Sequence, residues 1–334
     1  AGEALPTLSR KGWERCRESL EAIAARAPDG GLCCGYVGPG GAGHYVKMVH
    51  NGIEYALMQQ LADVYGLMRD GMGLSAAAMA EVFEGWRTGP LASYLVDITA
   101  HILTVQDPET GNALVDMIAP IAGSKGTGMW TVQEALALGV PLPTIAQAVF
   151  ARDLSAKSDE RTAAKERYGC EHAPFTGSDR AAFLEAIRQA LYASKICSYA
   201  QGFALLKTAS ERYDWNLDLG GIALLFRGGC IIRAAFLERI AEAYRAPQPP
   251  ANLLMDDYFA GKLAAYQPAW RQVVTTAAAS GVAAPAFSAS LAYFDGYRDA
   301  EGPMNLLQAQ RDCFGAHTYR RTDKEGSFHF DWLG

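Results

Sequence analysis

No segment of the chain approaches the ~18 uninterrupted apolar positions that a membrane-spanning helix requires, and the start lacks the basic-then-apolar layout of a secretory signal. The seven cysteines, at 16, 33, 34, 170, 197, 230 and 313, include no CxxC pair. Their odd number and scatter point to reduced thiols in a cytoplasmic protein rather than a disulfide framework. Six histidines form no HExxH and no Cys/His cluster, so no metal is expected. Basic residues are not in excess either. Thirty Lys and Arg against 36 Asp and Glu leave a net charge of −6, which offers nucleic acid no electrostatic footing. Strand-like segments are almost missing, residues 32–37 being the single candidate. A membrane protein, a disulfide scaffold and a disordered tail are thereby excluded, and no nucleic-acid partner is expected.

What remains is helical. Apolar residues recur at three- and four-residue spacing over 43–68, 75–87, 91–105, 129–138, 143–153, 179–212, 220–245 and 269–297. Gly89-Pro90, Asp107-Pro108, Pro247 and Pro249-Pro250 punctuate the runs. Ser75 and Ser178 stand where N-caps belong. The fold class expected is therefore an all-α body with a small non-helical preface. Three anchors recur along it. Lys47-Met48-Val49 is echoed by Lys195-Ile196-Cys197, Trp86-Arg87-x-Gly89 by Phe226-Arg227-x-Gly229, and Gly139-Val140-x-x-Pro143 by Gly281-Val282-x-x-Pro285. Their offsets of 148, 140 and 142 residues suggest a degenerate internal duplication of one helical unit.

One motif is a decoy. Gly38-Pro39-Gly40-Gly41-Ala42-Gly43 matches the dinucleotide fingerprint letter for letter. That fingerprint needs a second strand ending in an acid about 20 residues on. Here a helical pattern runs from Tyr45 to Met68 instead, so the glycines are expected to form a hinge into a long helix.

On that helix Val46, Val49, Ile53 and Leu57 share one face, and Lys47, His50, Asn51, Glu54 and Tyr55 form a stripe beside it. Such a stripe is either a solvated charge ladder or a site in which Lys47 and Glu54 serve opposite ends of a small molecule, one taking a proton and one giving it. Ser124-Lys125-Gly126-Thr127-Gly128 is either an interhelical turn or a cation, a hydroxyl and close amides for an anion; its order is not that of a P-loop. Arg152, alone in an apolar run, is an arm reaching out of a core or a planar phosphate fork. The polar tail after Asn305 carries Arg311, Phe314 and His317, a content suited to docking rather than fraying.

These blocks together (GAGHYVKMVHNGIEY, SKGTGMW, VFAR, SKICSYAQGF, FRGGCIIRA and QAQRDCFGAHTY) resemble the decarboxylating 6-phosphogluconate dehydrogenases from about Cys33 to the end. The resemblance implies three segments. Residues 1–40 would be the remnant of a coenzyme-binding α/β domain, 41–304 an all-α substrate and dimerisation domain, and 305–334 a tail reaching the partner of a homodimer. It implies Lys47 as proton acceptor and Glu54 as proton donor. His50, Asn51, Tyr55, Lys125, Arg152, and Arg311 and His317 from the partner's tail, would contact 6-phosphogluconate, with Thr127 and Phe314 as secondary candidates. The implied chemistry is oxidative decarboxylation to ribulose 5-phosphate with NADP as acceptor, without a metal, in the cytoplasmic pentose phosphate pathway and gluconate utilisation. Two departures flank Lys125: Pro120 stands where the family has an acid, and Met129 where it has a second Lys. With only a remnant of the coenzyme domain, the polypeptide by itself is expected to be inactive. The alternatives are a related β-hydroxyacid dehydrogenase domain and a non-catalytic dimerisation module.

Overall fold

A computed structural model describes residues 9–175 and 179–334. Among these the chain forms helices joined by turns, with isolated β-bridges and no strand. Helix α1 (Arg10–Ile23) starts at Ser9, whose Oγ accepts from Gly12 N at 3.1 Å. The strand expected at 32–37 does not form. A strand needs a ladder, and this segment has only the single bridge between Arg26 and Leu32. The glycine segment leads directly into α2 (Ala42–Gly66), with Gly40 at φ +56° in the turn before it. A π-turn, Leu67–Gly71, ends that helix.

Next come α3 (Ala76–Trp86), α4 (Tyr94–Ile102), the single turn α5 (Leu114–Met117), α6 (Thr127–Leu138), α7 (Pro143–Ser155) and α8 (Ser158–Tyr168). Ser75 caps α3 as expected, accepting from Ala78 N at 3.3 Å. Ser178 lies outside the described residues; Asp179 caps the 33-residue α9 (Arg180–Arg212), accepting from Ala182 N. The run expected over 220–245 is broken into α10 (Leu219–Leu225) and α11 (Leu237–Arg245), because Gly229 at φ +67° turns the chain out of helical space. The run over 269–297 belongs to α12 (Asp257–Ala279) and α13 (Pro285–Arg298). Gly281 at φ +72° closes the first of these and Pro285 opens the second. Helix α14 (Met304–Gly315) precedes the terminal segment.

Two of the recurring anchors, from which a duplication is expected, share matching hydrogen bonds. After α6, Gly139 N reaches Leu136 O at 3.3 Å and Val140 N reaches Ala135 O at 2.8 Å. After α12, Gly281 N reaches Ala278 O at 3.3 Å and Val282 N reaches Ala277 O at 3.0 Å. Both left-handed glycines end their helix in the same way, and a proline starts the next helix each time. Side chains also cap helices distant in sequence. Asp63 of α2 accepts from Ala286 N and Phe287 N at the start of α13, and Gln201 of α9 accepts from Thr144 N at the start of α7.

The chain divides into two packed units, Ala1–Leu291 and Ala292–Gly334. The boundary expected at 304/305 falls inside the second. In the first unit α2 packs along α9, which packs in turn on α12. Val49 and Ile53 of α2 are fully buried, each contributing about 1.5–3 kcal/mol of burial free energy. Gly202 of α9 lets the backbones approach closely, since a Cβ there would stand 2.5 Å from the Ile53 side chain. No described helix is long and apolar enough to cross a membrane.

Candidate active site

The polar stripe of α2 is not a solvated face. His50 is 1% exposed and Tyr55 5%, while Lys47, Asn51 and Glu54 are half-buried. With Val46, Val49, Ile53 and Leu57 buried beside it, the helix is fixed in rotation and the stripe has one direction to face. His50 Nδ1 stands 3.1 Å from Asn51 Oδ1, an acceptor that favours the tautomer protonated at Nδ1. The edge of the ring packs on Phe226 at 5.0 Å between centroids, and Nε2 is buried with no hydrogen-bond partner. Burial, reinforced by the charge of Lys47, lowers the imidazole to about 3 despite the Asn51 contact, so it is neutral in use. A neutral ring with an unpaired acceptor nitrogen is suited to receive a ligand hydroxyl. Burial raises the Glu54 carboxyl above its ordinary value, against the opposing pull of Lys47 and Arg152. That is the direction a proton donor needs.

Helix α6 closes against this stripe through a residue too small to keep it away. A Cβ on Gly128 would lie 2.6 Å from the Tyr55 ring, and one on Gly52 would lie 2.6 Å from the Thr131 methyl. Thr131 Oγ1 is 2.9 Å from both Met48 O and Thr127 O, so its hydroxyl ties the two helices together. Gly126, at φ +92°, forms the turn into α6 that only glycine adopts without strain. The result sets Thr127 in the same cleft as Lys47 and Asn51. Lys125 precedes Gly126 in an exposed loop.

Arg152 is not a free arm. Its guanidinium lies 3.6 Å from the Tyr55 ring centroid, and Nη1 donates to Gly123 O at 3.2 Å. The plane is thus held against an aromatic face beside Glu54, as a fork for an anion would be. Arg311 and His317 lie in the second unit, both exposed. There Arg311 Nη1 donates to Gln308 Oε1 at 3.0 Å, and Phe314 meets the His317 ring edge to face at 5.7 Å.

The cleft beside Lys47 has a volume of about 530 Å³, and sequence reasoning missed its aromatic wall. Tyr45, Trp130, Tyr213 and Trp215 line it together with Glu134. Tyr45 packs edge-on against Trp215 at 5.2 Å. Tyr213 and Trp215 follow the end of α9, far from α2 in sequence, and no spacing rule links them to Lys47. Trp130 was legible in principle, three residues after Thr127 on the same helix face.

Among the described residues no group of three or more His, Cys, Asp or Glu could hold a metal ion. Nor do these residues make a cradle for dinucleotide phosphates. The segment before Gly38–Gly43 forms no strand, and the glycines run into a 25-residue helix rather than a βαβ unit.

A protein-family model described as 6-phosphogluconate dehydrogenase, C-terminal domain, matches residues 43–332. The NADP(+)-dependent, decarboxylating 6-phosphogluconate dehydrogenase of Bacillus subtilis is 54% identical over 330 residues, 98% of this chain and 70% of that protein. The decarboxylating enzyme of Staphylococcus aureus is 50% identical over 329 residues, with the same coverage. Among solved structures, the Plasmodium falciparum 6-phosphogluconate dehydrogenase, studied apo and in complex with NADP+ and with 6-phosphogluconate, superposes with a TM-score of 0.94 at 45% identity. That match covers 97% of this chain and 69% of that one. Fold, site blocks and relatives agree, and the chain belongs to the 6-phosphogluconate dehydrogenase family, in which it matches the C-terminal domain.

Proposed function

We propose that this chain supplies the substrate-binding and proton-transfer residues of a decarboxylating 6-phosphogluconate dehydrogenase. The observation that carries the reading is Glu54, half-buried between the cations Lys47 and Arg152 on a stripe with an unpartnered His50 nitrogen. In this reading Lys47 takes the C3 hydroxyl proton of 6-phosphogluconate. Its ammonium then steadies the keto oxygen as carbon dioxide leaves. Glu54 delivers a proton to C1 of the enediol, giving ribulose 5-phosphate. His50, Asn51 and Tyr55 hold the hydroxyls; Lys125, Thr127 and Arg152 face the anionic groups. NADP, the coenzyme in the name of the Bacillus subtilis relative, would supply the hydride acceptor when bound, and the work assigned to this chain's residues is orientation and proton transfer.

The protein acts as a cytoplasmic homodimer in which the terminal segment of each subunit brings Arg311 and His317 to the other's site. Two-fold symmetry serves both sites with one contact type. The seven free cysteines are in keeping with a reducing compartment.

The test uses the protein joined to a coenzyme-binding domain. Lys47→Met should abolish oxidation and decarboxylation together. Glu54→Gln should slow the final protonation by roughly 10²–10⁴-fold, the range of general acid–base groups. Supplying the 3-keto intermediate or an analogue separates the steps. Wild-type tautomerisation by Glu54→Gln together with continued oxidation by Lys47→Met would reduce the stripe to a binding surface.

A further inference from the structure

In the second unit a buried carboxylate organises everything after α14. Asp312 is 0% exposed, and both of its oxygens are fully used. Oδ1 accepts from Thr318 N at 2.9 Å and from His329 Nδ1 at 2.9 Å. Oδ2 accepts from Phe330 N at 3.2 Å and from Trp332 Nε1 at 2.8 Å. The backbone carbonyl of the same residue takes Ala316 N at 2.8 Å. Burial works against the charge, yet the donors of Trp332, His329, Phe330 and Thr318 outweigh it and hold the carboxyl down at about 2. It is ionised throughout the working pH range.

Those bonds converge on one place. Ala316 and Thr318 both adopt left-handed backbone, at φ +48° and φ +60°, a conformation that a β-branched residue avoids unless its surroundings impose it. His317 sits between them. Asp312 grips the residue before it through its carbonyl and the residue after it through its side chain, and Gln308 Nε2 holds Thr318 O. Gln308 Oε1 also accepts from Arg311 Nη1. Beyond this turn Tyr319 and Phe328 form an antiparallel bridge, with bonds of 2.8 and 2.9 Å, so the strained loop is clamped from both sides.

The geometry points to Asp312 as the positioning residue of the terminal segment: it imposes the turn that holds His317 just after the helix carrying Arg311, with its ring against Phe314, and so pre-shapes both residues for an anionic sugar substrate. This rests on the proposed role of Arg311 and His317 in the site. Asp312 touches no substrate in this scheme. It lowers the ordering cost that a loose tail would otherwise meet on binding.

The experiment compares Asp312→Ala, Asp312→Asn and Trp332→Phe in the enzyme joined to its coenzyme domain, with Arg311→Met as the reference for the tail's role. Steady-state kinetics and light scattering are run on each. Asp312→Ala should raise KM for 6-phosphogluconate about tenfold or more with a much smaller change in kcat, the pattern of lost binding rather than lost chemistry. The dimer should persist. Asn, which replaces one acceptor by a donor facing donors, should fall between Ala and wild type, and Trp332→Phe, which removes one bond and keeps the ring, should be mildest. Should Asp312→Ala fail to fold, the Asn and Phe variants carry the same gradient. Wild-type KM in the Asp312 variants while Arg311→Met raises it would overturn the inference and leave the tail's role standing. An unchanged KM in Arg311→Met would overturn both.

Discussion

Ser93 and Ala234, 141 positions apart in sequence, face each other in an antiparallel bridge. Around them Tyr94 N donates to Arg233 O at 3.2 Å, and Ala235 N donates to Ala92 O at 3.0 Å. The two bonds are reciprocal, the ordinary pattern of an antiparallel bridge. The neighbouring anchors follow suit. Arg87 pairs forward with Asp97 in the first turn of α4, and Arg227 pairs forward with Glu238 in the first turn of α11. The two lysine anchors differ in their surroundings. Lys47 of α2 stands half-exposed in the cleft, whereas its counterpart Lys195 of α9 is 4% exposed, with the Phe236 ring at 5.5 Å.

That buried ammonium makes the first prediction. Burial lowers Lys195 to about 8, so the folded state binds it as a cation less readily than the unfolded chain does. The folded pKa lies below the unfolded one, so stability rises as pH climbs from about 8 toward the ordinary lysine range. Lys195→Met fills a similar volume without charge and should stabilise the protein at pH 7 by on the order of 1–3 kcal/mol. Chemical denaturation of both forms at pH 7 and pH 10 checks it; the gain should shrink at the higher pH, and a loss of stability at pH 7 would contradict the argument.

Gly128→Ala should damage the site and the fold together. The added methyl would meet the Tyr55 ring at 2.6 Å, forcing α6 off α2 and carrying Thr127 with it. Overpacking of this kind costs about 1–3 kcal/mol, more than alanine's helix propensity returns. A lower Tm and a reduced kcat/KM are the expected pair. Unchanged kinetics would mean that the α2–α6 contact does not set the site.

Arg152→Lys tests the planar fork. Lysine keeps the charge but cannot lie flat on Tyr55 while donating to Gly123 O. KM for 6-phosphogluconate should rise about tenfold, a loss comparable to a cation–π contact and one bidentate hydrogen bond. The preference for 6-phosphogluconate over unphosphorylated gluconate should narrow in parallel. Kinetics identical to wild type would assign Arg152 to packing alone.

Asp63 should give the first unit a pH-dependent stability term. It accepts from Gln59 Nε2 at 2.9 Å, Ala286 N at 2.8 Å and Phe287 N at 3.0 Å, holding the start of α13 to α2. Burial nevertheless raises it from 3.8 to about 7, against those hydrogen bonds. The folded state therefore binds more protons than the unfolded state between these values, and this contribution declines as pH rises from about 4 to about 7. Asp63→Asn removes the titration. Calorimetric stability of wild type minus Asn should fall across that window by on the order of a few kcal/mol. A difference independent of pH would show that the carboxyl does not titrate there.

The sequence by itself determined the helices, because 3.6-residue periodicity, the Ser75 cap and the Gly139–Pro143 and Gly281–Pro285 punctuation are local and need no partner to be read. It also determined the chemistry present, since Lys47, His50, Asn51, Glu54 and Tyr55 share one helix face by spacing alone. It misjudged elements that depend on a neighbour. Residues 32–37 have strand composition but no ladder to join, and 220–245 keeps an apolar period through a turn at Gly229. Only the tertiary structure decided which stripe residues lose water. His50 becomes a neutral ring because Phe226, 176 positions later, packs against it, and Arg152 is flattened because Tyr55 is there to receive it. The aromatic wall of Tyr213 and Trp215 and the Asp312 clamp share that origin. Burial and directional hydrogen bonding depend on residues distant in sequence, which periodicity cannot bring together.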